Sequence, residues 1–236
     1  MSEIIFIASP NNTASNNPYV TNSLAYNTWL LGSRGIKILH PKTYDNHPIS
    51  EGRNAICREF LESEATHLFM YDADSVLRPN TILVLLEDGR EVVSGYYLAR
   101  KGTGALVVLK RTTVKPLCNI NDFNYYRSYT LREFFNLPRE EKKLIRVDGT
   151  GMGAVLIKRE VFEELEEPYF LEWSSHMPPD QHQFGEDLWF SEALAKAGIP
   201  IYVDLSQFIG HVGWIVLGYE HLKRFMMSEG LIDIQI

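Results

Sequence analysis

Four short apolar runs, each closed by polar or turn-forming residues, frame the first hundred residues: Ile4–Ala8, Ile36–Leu39, His67–Tyr71 and Val92–Leu98. Continuous runs of this length read as strands buried on both faces. Helical spacing falls between them. Val20–Leu31 carries apolar positions on one side, with Gly32 placed to stop the helix. Ser50 is placed as an N-cap for a helix whose Ala55, Ile56, Phe60 and Leu61 share a face. Beyond Pro79, Ile82–Leu86 predicts a third helix closed by Gly89. This alternation is the pattern of an α/β fold with a mostly parallel central sheet.

The segment from about Gly102 to Arg146 breaks that rhythm. Ala105–Leu109 is β-rich, Asn119–Tyr129 is aromatic and polar, and Thr130 to Glu133 has the spacing of a capping box. It reads as an excursion within a single domain of residues 1–236. Afterwards Val161–Leu165 and Leu188–Ala197 look helical, the second ended by Gly198, and Ile199–Val203 is a strand.

Composition narrows the class. The chain has 236 residues, 45% hydrophobic and 22% charged, with a formal net charge of −7. That suits one large globular α/β domain and argues against a nucleic-acid protein, which needs clustered Lys and Arg. A phosphate-bearing ligand stays compatible, because a bound metal supplies positive charge locally. Cys57 and Cys118 lack CxxC or zinc-like spacing and are expected to be reduced thiols. No run approaches a transmembrane length, and the first residues lack the pattern of a signal peptide, so a cytoplasmic protein is expected.

Candidate chemistry begins where the third apolar run ends, at Asp72-Ala73-Asp74. In open α/β sheets ligands bind at the carboxyl ends of strands. Two carboxylates one residue apart in a loop repel each other unless a cation shares them. Hard oxygen ligands suit Mn²⁺ or Mg²⁺ bridging to substrate phosphates. As an isolated tripeptide, the same residues also read as a turn. Glu186 and Asp187 sit at the start of a helix, where the dipole favours negative charge; a carboxylate there also suits a general base. His211, between Gly210 and Gly213 in a polar gap, reads as a hydrogen-bonded structural residue or as a metal ligand.

Taken together, Ser50-Glu51-Gly52-Arg53-Asn54-Ala55, His67 to Asp74, Gly149-Thr150-Gly151-Met152-Gly153-Ala154, Phe184-Gly185-Glu186-Asp187 and Gly210-His211-Val212-Gly213 resemble the GT-A glycosyltransferases, especially the family 2-like group. The resemblance implies a GT-A sandwich and a hexosyltransferase-like activity. In it a divalent metal (Mn²⁺ or Mg²⁺) would sit on Asp72, Asp74 and His211. A nucleotide-sugar donor would lie against Ala8, Ser9, Pro10, Arg53, Asp72, Ala73 and the segment Gly151, Met152 and Gly153. In an inverting reaction Asp187 would take the proton of a hydroxyl-bearing acceptor (glycan, small molecule, lipid or protein), with Glu186 meeting acceptor hydroxyls; in a retaining one Asp187 would position substrate. Asp45 would meet the base, or is a solvated turn residue. The cluster Asp180 and His182 reads equally as acceptor contact or plain loop.

Rival classes are weighed against this. The glycine run superficially fits a dinucleotide fingerprint, but Ala154–Ile157 after it is β-like where a helix should open. A nucleotidyltransferase of related fold would carry a glycine-rich basic loop after the first strand, which Ser9-Pro10-Asn11-Asn12-Thr13 lacks. A non-catalytic sugar- or nucleotide-binding module is the third class, and intact Asp72, Asp74, Asp187 and His211 count against it.

Overall fold

The computed structural model describes residues 3–10, 17–40, 48–99, 105–112, 125–140, 143–172, 185–213 and 222–223. Strands β1 (Ile4–Ala8), β2 (Lys37–Leu39) and β3 (His67–Tyr71) alternate with helices α1 (Pro18–Ser33) and α2 (Ile49–Glu62). Then come β4 (Ser75–Val76), α3 (Thr81–Glu87), β5 (Val92–Tyr96), β6 (Val108–Thr112), β7 (Tyr125–Ser128), α4 (Leu131–Phe135), β8 (Arg139–Glu140) and β9 (Leu144–Val147). The chain continues through β10 (Gly149–Thr150), β11 (Ala154–Lys158), α5 (Arg159–Glu164), α6 (Glu186–Ala197), β12 (Ile201–Phe208) and β13 (Gly210–His211).

The central sheet has the order β2-β1-β3-β11-β5-β12-β9-β8. Six of its eight strands run one way; β11 and β9 oppose their neighbours. This is the mixed, mostly parallel α/β sheet expected. Strand β6, inside the Gly102–Arg146 excursion, centres a separate three-stranded sheet, β10-β6-β7. The final strand pair, β13-β4, ties the end of β12 to the loop after β3.

Alternation along the strands divides the core. Phe6 and Ala8 of β1 face a cluster built with Ile56 and Phe60 of α2, Phe162 of α5 and Phe190 of α6. Ile5 and Ile7 face the other side, with Leu31 of α1 and Ile82 and Leu85 of α3. Side chains at a period of two thus point into two apolar layers, which is why the runs lack polar alternation.

Element ends differ from expectation at three places. Helix α1 starts earlier, capped by Asn17, whose side chain accepts from Tyr19 N at 3.0 Å, with proline in the first turn. It runs through Gly32, and the left-handed residue beyond it is Gly35 at φ 74°. Helix α2 follows Pro48, so Ser50 lies inside its first turn and is buried, not the cap. The capping box at Thr130 forms as read: Glu133 N donates to Thr130 Oγ1 at 3.2 Å and Thr130 N to Glu133 Oε2 at 3.0 Å.

Candidate active site

Strands β1, β3, β5 and β12 share a direction, so the residues following each converge on one end of the sheet. These are Ser9-Pro10, Asp72-Ala73-Asp74, Tyr97-Leu98 and Gly210-His211. The β13–β4 ladder pairs His211 with Ser75, and Val212 N donates to the Asp74 carbonyl at 2.7 Å. A histidine 137 residues downstream of Asp74 is delivered beside it by this two-residue ladder.

The buried imidazole of His211 has both nitrogens engaged. Nδ1 lies 3.0 Å from the Leu98 carbonyl, and Nε2 lies 3.2 Å from Asp74 Oδ1. A carbonyl only accepts, so Nδ1 carries the proton. In the neutral ring Nε2 then presents a lone pair to a carboxylate oxygen. Two lone pairs facing at that distance require a cation or a proton between them. The His211 ring also meets the Tyr97 ring edge-on, centroids 5.4 Å apart.

Asp72 faces elsewhere. Its Oδ1 accepts from Arg53 Nη2 at 2.8 Å, and Arg53 Nε reaches Glu186 Oε1 at 3.2 Å. Arg53 is 2% exposed. Burial works against its charge, but Asp72 and Glu186 outweigh that and hold its pKa above the ordinary value. Asn54, the next residue, turns the other way: it donates to the Phe170 carbonyl at 2.6 Å and accepts from Phe170 N at 3.0 Å. The Phe170 ring then lies 5.8 Å from the Arg53 guanidinium. The Arg-Asn pair thus divides its work between the site and the segment packed behind it.

Helix α6 opens at Gly185 and brings two carboxylates in its first turn. Glu186 is a counter-ion of Arg53 through Oε1. Asp187 Oδ1 accepts from Leu188 N at 2.9 Å. Burial, then the neighbouring Glu186 charge, push the Asp187 carboxyl up to about 6, against the opposing pull of Arg53. A Cβ on Gly185 would sit 2.6 Å from Asp187 Oδ1, so glycine here is what lets that carboxylate fold back over the helix start.

Within the protein, the glycine-rich segment packs against a tyrosine. Beside Gly151 and Gly153 lies Tyr97: a Cβ on Gly151 would overlap its hydroxyl outright, and one on Gly153 would sit 2.8 Å from its ring. Gly153 N donates to Tyr97 Oη at 3.1 Å, and Asp72 N donates to the Gly153 carbonyl at 3.3 Å. Burial and the Asp72 and Asp187 charges push the Tyr97 phenol well above its usual range. Tyr97 thus links the Asp72–Arg53–Asp187 group to His211, and sequence reasoning missed it. In the strand pattern nothing separates it from Tyr96, which faces the opposite layer against Phe134, Phe135 and Phe208.

The remaining candidates sort plainly. Ala8, Ser9, Ala73 and Met152 are buried. Pro10 presses on the start of α2, where a Cβ on Gly52 would sit 3.0 Å from its carbonyl oxygen. Asp45, Asp180, His182 and Cys118 lie outside the described residues. Asp74 and His211 come together, as do Arg53, Asp72, Glu186 and Asp187. Among the described residues, no three His, Cys, Asp or Glu side chains converge on one metal position. Cys57 is a buried free thiol, pushed well up by burial. No described helix is long and apolar enough to cross a membrane.

No family model and no curated protein sequence matches the chain. Among solved structures, protein A197 from STIV is 20% identical, with 93% of this chain and 91% of that one covered and a TM-score of 0.55. GalNAc-T7, solved with UDP, GalNAc and Mn²⁺, is 12% identical over 90% of this chain and 44% of that one, TM-score 0.47. A CMP:2-keto-3-deoxy-manno-octonic acid synthetase complexed with CTP is 13% identical over 98% of each chain, TM-score 0.42. The likeness to A197 shows a shared α/β fold.

Proposed function

We propose that this chain is a metal-dependent glycosyltransferase of the GT-A type, transferring a sugar from a nucleoside-diphosphate donor to a hydroxyl acceptor. The observation that carries the reading is the pair His211 Nε2 and Asp74 Oδ1, 3.2 Å apart, with the histidine's other nitrogen donating to Leu98. A ligating histidine is typically oriented by just such a hydrogen bond from its second nitrogen. One carboxylate and one imidazole suit Mn²⁺ or Mg²⁺, which fill their remaining positions with water and substrate phosphate. Bound there, the ion would supply Lewis-acid stabilisation of the charge that builds on the departing diphosphate.

Asp74 and His211 are the proposed metal ligands. Asp72, one of whose oxygens is committed to Arg53, is proposed to hold that guanidinium toward the donor and to lie beside the ion. Asp187 takes the proton from the acceptor hydroxyl as the new glycosidic bond forms. A carboxylate with a pKa near 6 is mostly ionised at neutral pH and still basic enough for the task. Tyr97 packs under Gly151–Gly153 and keeps the strand end closed behind the reacting groups.

The test is thermal denaturation with nucleoside diphosphates and nucleotide sugars, with and without Mn²⁺. Stabilisation of wild type that needs both metal and one nucleotide, lost in Asp74→Ala and His211→Ala, is the expected outcome. Wild-type behaviour of both variants would overturn the metal assignment. Pyrophosphate release from a nucleoside triphosphate plus a sugar phosphate would identify nucleotidyl transfer instead.

A further inference from the structure

Helix α1 carries no charged residue in any of its sixteen positions, Pro18–Ser33. At the chain's average of 22% charged, about three or four would fall there. Helix α2 has Glu51, Arg53, Arg58, Glu59 and Glu62 among its fourteen. A helix with one face in water ordinarily keeps charged or polar side chains on that face. Helix α1 instead presents aromatic rings. Of the four large hydrophobic side chains exposed among the described residues, three are its Tyr19 (61% exposed), Tyr26 (50%) and Trp29 (63%).

The three rings share one face. Around the helix Tyr19 and Tyr26 lie about 20° apart, and Trp29 lies about 60° beyond Tyr26. Exposed Asn22 and Ser33 fall between them, so the face is amphipathic without an ion. The Tyr26 and Trp29 rings are 5.5 Å apart and form one patch. Buried Val20, Asn27 and Leu31 occupy the other side. That inner side anchors the helix: Asn27 Nδ2 donates to the Arg78 carbonyl at 2.7 Å, Asn27 Oδ1 accepts from Ile82 N at 3.0 Å, and Ser23 Oγ accepts from Leu77 N at 3.1 Å. The outer rings are therefore not needed to seat α1 on the sheet.

Area and charge decide what covers such a face. A helix face about 24 Å long and roughly 10 Å wide offers on the order of 240 Å², against the ~800 Å² that each partner of a stable protein complex contributes. A second copy or another protein would need far more surface than α1 gives. A bilayer needs neither a pocket nor a counter-charge, and Tyr and Trp, apolar rings with a polar tip, suit the boundary between headgroups and acyl chains. The net charge of −7 opposes anionic lipids, and α1 has no cation to attract them. Too short to cross the bilayer, and packed on the protein along one side, α1 would lie in the interface. We infer that the outer face of α1 seats the protein on a zwitterionic lipid bilayer, with Tyr19, Tyr26 and Trp29 entering the headgroup–acyl boundary. The inference uses no residue of the candidate active site and stands independently of the proposed transfer.

The experiment sediments the full-length protein with phosphatidylcholine vesicles, with and without added phosphatidylserine, at low salt and at ~0.5 M NaCl, where charge is screened. Wild type is expected to pellet with pure phosphatidylcholine at both salt concentrations. Tyr19→Ser/Tyr26→Ser/Trp29→Ser, with its melting temperature measured alongside, should partition at least about tenfold less, since burying even one such ring is worth that much. A second readout does not depend on how that variant folds. Brominated phosphatidylcholine should quench the tryptophan fluorescence of wild type, and Trp29→Phe should abolish the quenching while the protein still pellets. Four outcomes would overturn the inference: no pelleting of wild type with phosphatidylcholine; binding that requires phosphatidylserine and is lost in salt; quenching that survives Trp29→Phe; or a wild-type dimer, seen by sedimentation equilibrium, that the triple variant dissociates.

Discussion

Arg53 is a single buried cation among three carboxylates: it bonds Asp72 and Glu186 directly, and its charge lowers the pKa of Asp187. The arrangement leaves Asp187 the most weakly compensated of the three, which fits a proton acceptor better than a structural ion pair. Two results should follow. Asp187→Asn should lower kcat by about 10²- to 10⁴-fold while donor binding, measured by thermal shift, persists. In the wild-type protein the rate of the proposed transfer should rise with pH through about 6 and level off above, because the base works only when deprotonated. A rate independent of pH from 5 to 8, roughly the span over which such a group titrates, would remove Asp187 from the role. The sequence singled out Asp72, Asp74, Arg53, Asp187 and His211, because each is polar at the mouth of an apolar element. The ion pair of Glu186 with Arg53 was not legible, because its direction depends on where α2 places Arg53, a tertiary fact with no local signature.

At the level of elements, the site is assembled by strand ends and by one exchange of bulk for space. Tyr97 sits where two glycines leave room, and the Gly153 amide is spent on its hydroxyl. Gly151→Ala should therefore destabilise the fold by about 1–3 kcal/mol, the usual cost of overpacking a filled site. Combining it with Tyr97→Phe, which removes the overlapped oxygen, should recover part of that loss in urea titrations. Strict additivity of the two changes would mean that Tyr97 is not the neighbour the glycine accommodates. The strands and helices themselves were legible, because a period of two or 3.6 records burial directly. The run Gly149–Ala154 was legible as a close approach but not as to what approaches, since an absent side chain names no partner. Ser50 was misplaced for a related reason: Pro48 precedes it and starts the helix two residues sooner.

Across the whole molecule, helix α3 is tied by charge to strands β9 and β12 of the sheet. Lys143, entering β9, bridges Asp88 at the end of α3, and its ammonium lies 3.1 Å from Asp204 Oδ2 in β12. Both carboxylates are almost wholly buried; Asp204 is also bonded by Ser206 N at 2.7 Å, and Asp88 Oδ2 has no partner among the described residues. Two buried anions thus share one partly solvated cation. Burial first, and Asp204 next, push the Asp88 carboxyl up to about 6 from its ordinary 3.8, despite Lys143. The sign is the reverse of an ordinary salt bridge. The folded state holds this proton more tightly than the unfolded state, so the group's contribution to stability falls as pH rises from about 4 to 6. Lys143→Met removes the shared cation and should cost about 3 kcal/mol at pH 7.5, the low end for breaking a buried pair because the ammonium is partly solvated. The loss should shrink toward pH 5, where Asp88 takes up its proton, and Lys143→Arg should restore most of it. Urea titrations of the three proteins at both pH values decide the matter: a Lys143→Met deficit independent of pH would mean that the lysine's aliphatic stem, not its charge, joins α3, β9 and β12.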